Sequence, residues 1–366
     1  GDFSGGGADA SANESLYVNA TGNITLIGSI DGNADLDILG RESIVSLTSG
    51  GAIFNTSGSA IAIDEIAQLT MAAATGIGTI DDGDGTDTAG DYSPITINAE
   101  EVTATLSAPG DIVILNQPDV LDTDAATDTA IINLLSIAAN DATNRIDYRQ
   151  TSHVLQVGDN VADEPGYEVN ANGGAVLLDP TTMNIVTGIA GSDVDLVADD
   201  AINFQAGGRV DATNSVLIDA DIDTDGVGAI DFQIEGTPST DPIVNVTAGD
   251  NVVNVRGVTL ELRNGSIETA AGGTVNVFLG QTGGAGASVP DAADQDDNVA
   301  ELIGGTINFD IDGNNGNDAV GAAAAPIEFA ASTALNANVQ GNIFLSTADA
   351  DADEGALDAA ETFNIG

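Results

Sequence analysis

The chain has 366 residues, with 58 acidic side chains against six arginines and no lysine, a single histidine and no cysteine, for a formal charge of −52. That charge excludes nucleic acid and anionic membrane surfaces as partners, because both are held through Lys and Arg. The missing cysteine excludes a disulfide framework and thiolate metal sites. Hydrophobic residues still make up 42% of the chain, too many for a disordered acidic segment.

Other devices are missing too. Without lysine no Lys–Asn isopeptide cross-link can form, so stability must come from packing, backbone ladders, cations or subunit contacts. Aromatic residues are 4% and tryptophan is absent, which suits a narrow aliphatic core. No run of about 18 apolar residues is present to form a spanning helix, and no membrane insertion is expected. The opening Gly1-Asp2-Phe3-Ser4 carries no basic region before an apolar stretch and reads as a mature chain or a fragment.

Residues 1–15 read as a flexible or strand-donating arm. From residue 16 to 348 short alternating segments follow one another, broken by Gly, Asn and Asp. They fall at 23–28, 34–40, 43–48, 95–99, 102–106 and 111–115, then at 194–198, 216–220, 243–247, 258–262, 275–279 and 343–346. Alternation with a period of two and β-branched enrichment predict strands with one buried face. Two segments, 64–74 and 125–139, fit either a helix or a strand. Acidic insertions are expected near 81–92, 121–130 and 281–298, and residues 349–366 form an acidic segment ending in a strand.

The chain also resembles itself. Ser93-Pro94-Ile95-Thr96-Ile97 and the residues up to Leu115 align with Ala325-Pro326-Ile327-Glu328-Phe329 and the residues up to Leu345, and Asp241-Pro242-Ile243 opens a looser copy. Self-similarity of this kind predicts an all-β solenoid, whose coils bury their faces only against one another. Tandem β-sandwich domains are the alternative, since alternation does not separate parallel from antiparallel pairing.

Thr75-Gly76-Ile77-Gly78-Thr79, the acidic loop after it, Ser93-Pro94-Ile95, Gly110-Asp111-Ile112-Val113 and the run from Ile44 to Gly58 resemble filamentous-haemagglutinin-like exoproteins. These are secreted β-solenoid adhesins with β-strand repeats. The resemblance is clearest over 16–120 and 185–348. It implies a right-handed parallel β-helix, extracellular or cell-surface display and an adhesive or matrix role, and it carries over no catalytic residues. The acidity and missing lysine depart from host-cell adhesion and favour self-assembly. A coil of about 20 residues stacked at about 4.8 Å would give roughly 15 coils. Open edges at the two ends would pair head to tail and propagate a homopolymer.

Asp221-Ile222-Asp223-Thr224-Asp225-Gly226 has the form of the start of a calcium loop, in which alternate carboxylates on a tight turn converge on a hard cation. Asn308-Phe309-Asp310-Ile311-Asp312-Gly313 has the same form. Both lack the bidentate Glu at the loop's twelfth place but carry an acid one place earlier, Asp231 and Asp318. Ca2+ is therefore the one cofactor expected, on Asp221, Asp223, Asp225, Asp231, Asn308, Asp310, Asp312 and Asp318. The competing reading is solvated carboxylates on turns or on the outer face of a strand.

Arg145-Ile146-Asp147-Tyr148-Arg149, followed by His153, is the one basic and aromatic patch. It reads as a salt-bridge network, a subunit contact or a ligand groove. Asn19, Asn23 and Asn245 lie in glycosylation sequons. The function expected is a structural subunit of an extracellular filament, matrix or surface layer, assembled through β-edge contacts. An adhesin stalk that holds surface polysaccharide is the alternative, and a carbohydrate-active β-helix enzyme ranks below both.

Overall fold

A computed structural model describes residues 14–31, 43–56, 61–79, 92–117, 129–136, 145–151, 154–157, 177–178, 185–186, 188–204, 208–220, 222, 228–232, 242–262, 265–280, 288–289, 300–311, 319–320, 327–339, 341–347 and 363–365. The described residues are all-β, without a helix. Both ambiguous segments are strands, Ile63–Ala73 and Thr129–Ser136. Their β-branched content and their place in the ladders prevail over a helical reading.

Parallel pairing dominates. Among the described strands only Leu177–Leu178 and Ile185–Val186 pair antiparallel, and they form a separate sheet. A β-sandwich would need the antiparallel arrangement throughout. The parallel pairs form three ladders, and the chain visits them in turn.

The second ladder shows the rule best. Ile24, Ile53, Ile77, Ile112, Ile146, Val194, Val216, Val253, Val275, Ile307, Leu335 and Phe363 occupy one column, each in register with the next. From Ile24 to Leu335 every member is buried. Each buried aliphatic side chain contributes about 1.5–3 kcal/mol relative to exposure. A second buried column, Ile114, Tyr148, Leu196, Ile218, Val255, Val277 and Phe309, runs beside it in the same ladder, and the core is largely aliphatic, as expected for a chain poor in aromatics.

Twelve strands at about 4.8 Å span about 50 Å. The spacing between equivalent residues is uneven: 22 residues separate Asn254 from Asn276, and 32 separate Asn276 from Asn308. The expected pass of about 20 residues is therefore near the minimum, and loops lengthen the rest. The described residues accordingly give twelve strands in this ladder, against the roughly 15 coils expected. Strand 34–40 and most of the three acidic insertions lie outside the described residues.

Several long strands serve two ladders. Gly188–Ala198 and Leu302–Ile311 each change direction in mid-strand, with register shifts between Gly191 and Asp193 and between Gly304 and Thr306. The extra residue lies on the facing strand, Arg209–Ala220 in one case and Ile327–Val339 in the other, where it bends that strand and lets the next ladder begin without a loop. Corners stack on corners, so side chains there meet backbone. A Cβ on Gly110 would sit 1.9 Å from the carbonyl oxygen of Thr75. Asn251, at φ 55°, spans its corner instead: its Oδ1 accepts from Ala270 N and its Nδ2 donates to Ala270 O, both at 2.9 Å.

The core is not wholly apolar. Asn116, Tyr148 and Gln150 are inward-facing and almost fully buried. Asn116 pairs with the backbone of Ala99 like a strand residue: its Oδ1 accepts from Ala99 N at 3.1 Å and its Nδ2 donates to Ala99 O at 2.9 Å. Nδ2 also donates to Tyr148 Oη at 3.0 Å, and that hydroxyl donates to Gln150 Oε1 at 3.3 Å. Burial holds the Tyr148 phenol well above its ordinary range.

Candidate functional site

Functional side chains in this architecture sit on the outer faces of the ladders, because alternation sends every second residue outward. The densest outer cluster grows from Arg145–Gln150. Its register sets Arg145 beside Asp193, Asp147 beside Asp195 and Arg149 beside Val197 on the next strand. Like charges thus face one another at Asp147 and Asp195, with guanidinium groups on the diagonals.

Arg149 grips Asp147 with two bonds, Nε to Oδ1 at 2.9 Å and Nη2 to Oδ2 at 3.1 Å. Arg145 Nη2 lies 3.9 Å from Asp195 Oδ2, a longer and more exposed pairing. Asp195 is thus the poorly compensated carboxylate. Burial, followed by the Asp147 charge, lifts its pKa to about 6. Hydrogen bonding to Asp147 raises the pKa of Arg149 further above its ordinary value. Asp193 is tied differently, accepting from Ser215 Oγ at 2.6 Å and from Asn214 Nδ2.

A strap partly covers this cluster. Thr79 and Ser93 form an antiparallel bridge, with N–O distances of 3.0 and 2.8 Å. Gly78 leads into it at φ 69°, where a Cβ would meet the carbonyl oxygen of Val113 at 2.5 Å. Val113 is outward-facing by register yet fully buried, which marks where the strap lies. Next to the bridge, the Tyr92 ring packs under the Arg149 guanidinium, 5.1 Å from centroid to Cζ. Burial lifts the Tyr92 phenol to about 12, helped by the Asp147 charge. The arrangement holds one guanidinium group, that of Arg149, between a carboxylate and an aromatic ring. The patch read from 145–149 is therefore a real cluster, and its partners Tyr92, Asp193 and Asp195 come from segments far away in sequence. His153 lies outside the described residues.

The calcium ligands divide. Asp221, Asp223, Asp225, Asp312 and Asp318 lie outside the described residues. Asp231 sits in the strand Ala229–Phe232, between Asn203 and Glu261 in register. Asn308 and Asp310 lie on Leu302–Ile311, a strand where the sequence pattern places a turn, and both have side-chain partners. Asn308 Oδ1 accepts from Asn336 and its Nδ2 donates to Asn276, each at 2.7 Å, while Asp310 Oδ1 accepts from Asn338 Nδ2 at 2.8 Å. Among the described residues no three acidic or histidine side chains converge as a metal site.

Three carboxylates do not face solvent. Asp147, Glu301 and Glu328 are buried. Of the sequons, Asn19 is exposed on Glu14–Ala20, and Asn245 is half-buried on Ile243–Val246. Asn23 uses its Oδ1 to accept from Ala52 N at 3.0 Å. Comparison with known protein families, curated proteins and solved structures finds no match.

Proposed function

We infer that the chain is a right-handed parallel β-solenoid that serves as a structural subunit of an extracellular filament, matrix or surface layer. The observation that carries this reading is the unbroken aliphatic column from Ile24 to Leu335, repeated rung upon rung and continued in register by Phe363. A core built by stacking has no natural end, since each added pass buries the face of the one before. The resemblance of 16–120 and 185–348 to filamentous-haemagglutinin-like exoproteins supports the same fold and an extracellular setting.

The two ends of the ladders match. At one end stand Val18, Ile24 and Ile30, and at the other Thr347, Phe363 and Ile343, one pair for each ladder. Head-to-tail addition of a second copy would set Phe363 over Ile24 and Ile343 over Ile30, continuing both columns. Such a contact does not close and therefore propagates. Charge opposes it, because two chains of −52 repel. Salt or Ca2+ on the acidic loops would supply the screening.

Electron microscopy of the purified chain, with EDTA and with millimolar Ca2+, tests the reading. Filaments with a rise of about 58 Å per subunit, twelve spacings of about 4.8 Å, are expected with the cation. Phe363→Glu, which sets a charge in the end column, should leave isolated rods. Wild-type rods that stay separate at every salt and calcium concentration would sink the assembly reading.

A further inference from the structure

The outer face of the second ladder changes character along the stack. Near Arg145–Gln150 it is crowded with Asp147, Asp193 and Asp195. From Val252–Gly257 onward the outward side chains are Asn, Thr and apolar residues, and the only charged ones among those described are Arg256 and Asp310. That part of the face carries no net charge on a chain of −52.

Four asparagines run down its centre. Asn276 Nδ2 donates to Asn254 Oδ1 at 2.9 Å, Asn308 Nδ2 to Asn276 Oδ1 at 2.7 Å, and Asn336 Nδ2 to Asn308 Oδ1 at 2.7 Å. All four are half-buried and outward-facing. Thr274 and Thr306 stand in register on one flank of the column. On the other flank Phe278 is half-buried, with the Arg256 guanidinium 5.9 Å from its ring centroid.

We propose that this asparagine-centred face binds a neutral, extended polysaccharide lying along the stacking direction, across the strands. A primary amide has two N–H donors, and the ladder takes one from each of Asn276, Asn308 and Asn336. The second N–H of each rung remains for a ligand, at a repeat of about 4.8 Å. Because the ladder locks the amide planes, these donors are ordered before binding and lose little entropy on it. Sugar hydroxyls match the row of amides and threonine hydroxyls, and the C–H face of a pyranose suits Phe278. In an extended β-linked chain alternate sugars face opposite ways, so equivalent hydroxyls recur about every second rung, and such a chain can follow the column where a helical polymer could not.

Charge selects the class of partner. An anionic polymer is repelled by the surrounding surface, and a second copy brings its own −52 to the same place. A neutral polymer meets neither penalty. The proposal gives the surface-layer reading a partner, but it rests on the ladder and not on polymerisation.

Retention on insoluble cellulose and on chitin, with calcium alginate beads as the anionic comparison, tests it with unpolymerised protein in EDTA-free low-salt buffer. Wild type should be retained on at least one neutral polymer and not on alginate. The double variant Asn276→Asp/Asn308→Asp keeps side-chain size, adds charge and removes donors, and retention should fall at least tenfold. Phe278→Ala should lower it about threefold to tenfold and decides the matter if the double variant does not fold. Asn245→Asp, on Ile243–Val246 outside this ladder, should change nothing. Absence of wild-type retention on both neutral polymers, equal retention on alginate, or retention indifferent to both face variants would overturn the proposal. A double variant that altered sedimentation but not retention would also overturn it, assigning the face to a second copy. Filament formation is read separately by microscopy, so either idea can fail alone.

Discussion

Replacing Asp195 with asparagine is a direct test of the charged cluster on the second ladder. Asp195 lies beside Asp147 in register, with Asp193 two residues before it on the same strand. Arg145 and Arg149 offset those charges, but Arg149 is committed to Asp147 and Arg145 stands 3.9 Å away and half exposed. The carboxyl is lifted from 3.8 to about 6. Its folded pKa thus exceeds its unfolded one, so the folded state binds more protons between the two values. Stability from this group is fully present below about pH 4 and is lost as pH rises through 6. A shift of about two pKa units corresponds to roughly 3 kcal/mol, and solvent screening of a partly exposed group reduces this to about 2 kcal/mol. The amide introduced by Asp195→Asn keeps the shape of the protonated acid and never ionises. The variant should therefore match wild type near pH 4 and exceed it by about 2 kcal/mol at pH 8, with a melting temperature a few degrees higher. Thermal and urea melts of both proteins from pH 4 to pH 8 read the difference directly. A variant less stable than wild type at pH 8, or a difference that does not change with pH, would refute this account of Asp195.

Three further substitutions probe the interior. Ile112→Ala opens a cavity in the middle of the aliphatic column and should cost about 2–5 kcal/mol in a denaturant melt. Asn116→Ala removes the partner of Ala99 N and Ala99 O and a donor to Tyr148 Oη, all deep in the core. Its expected cost is at least about 2 kcal/mol, since each buried orphan group costs about 1–3 kcal/mol, and hydrogen exchange should accelerate at the Ala99 amide. Gly110→Ala would place a Cβ 1.9 Å from the Thr75 carbonyl oxygen, so the corner must shift. A loss above about 2 kcal/mol is expected for it, and a melt within about 0.5 kcal/mol of wild type would contradict the stacked-corner geometry.

Much of this protein is written in local pattern. Period-two alternation at 43–48, 216–220 and 275–279 marked strands that the structure contains, because one buried face imposes that period regardless of the partner. Composition set an aliphatic, narrow core, and the Gly, Asn and Asp punctuation marked corners where backbones stack too closely for larger residues. The Arg145–Arg149 patch was visible because arginine is so rare here.

What pairs with what was not legible. Strands such as Arg145–Gln150 and Gly188–Ala198 pair across a gap that includes residues 158–187, and no local signal measures that distance. Register, once set, decides which outward residues become neighbours. It places Asp147 beside Asp195 and so perturbs a carboxylate that reads as ordinary in sequence. It also turns the calcium-like Asn308-Phe309-Asp310 into part of a strand, and lines up Asn254, Asn276, Asn308 and Asn336 from four separate passes. Sequence alone determined that the chain is all-β, acidic outside and aliphatic inside, because burial acts residue by residue. The parallel pairing, the buried Asn116–Tyr148–Gln150 network and the asparagine ladder were decided only by tertiary structure, because each depends on which distant strands share a ladder.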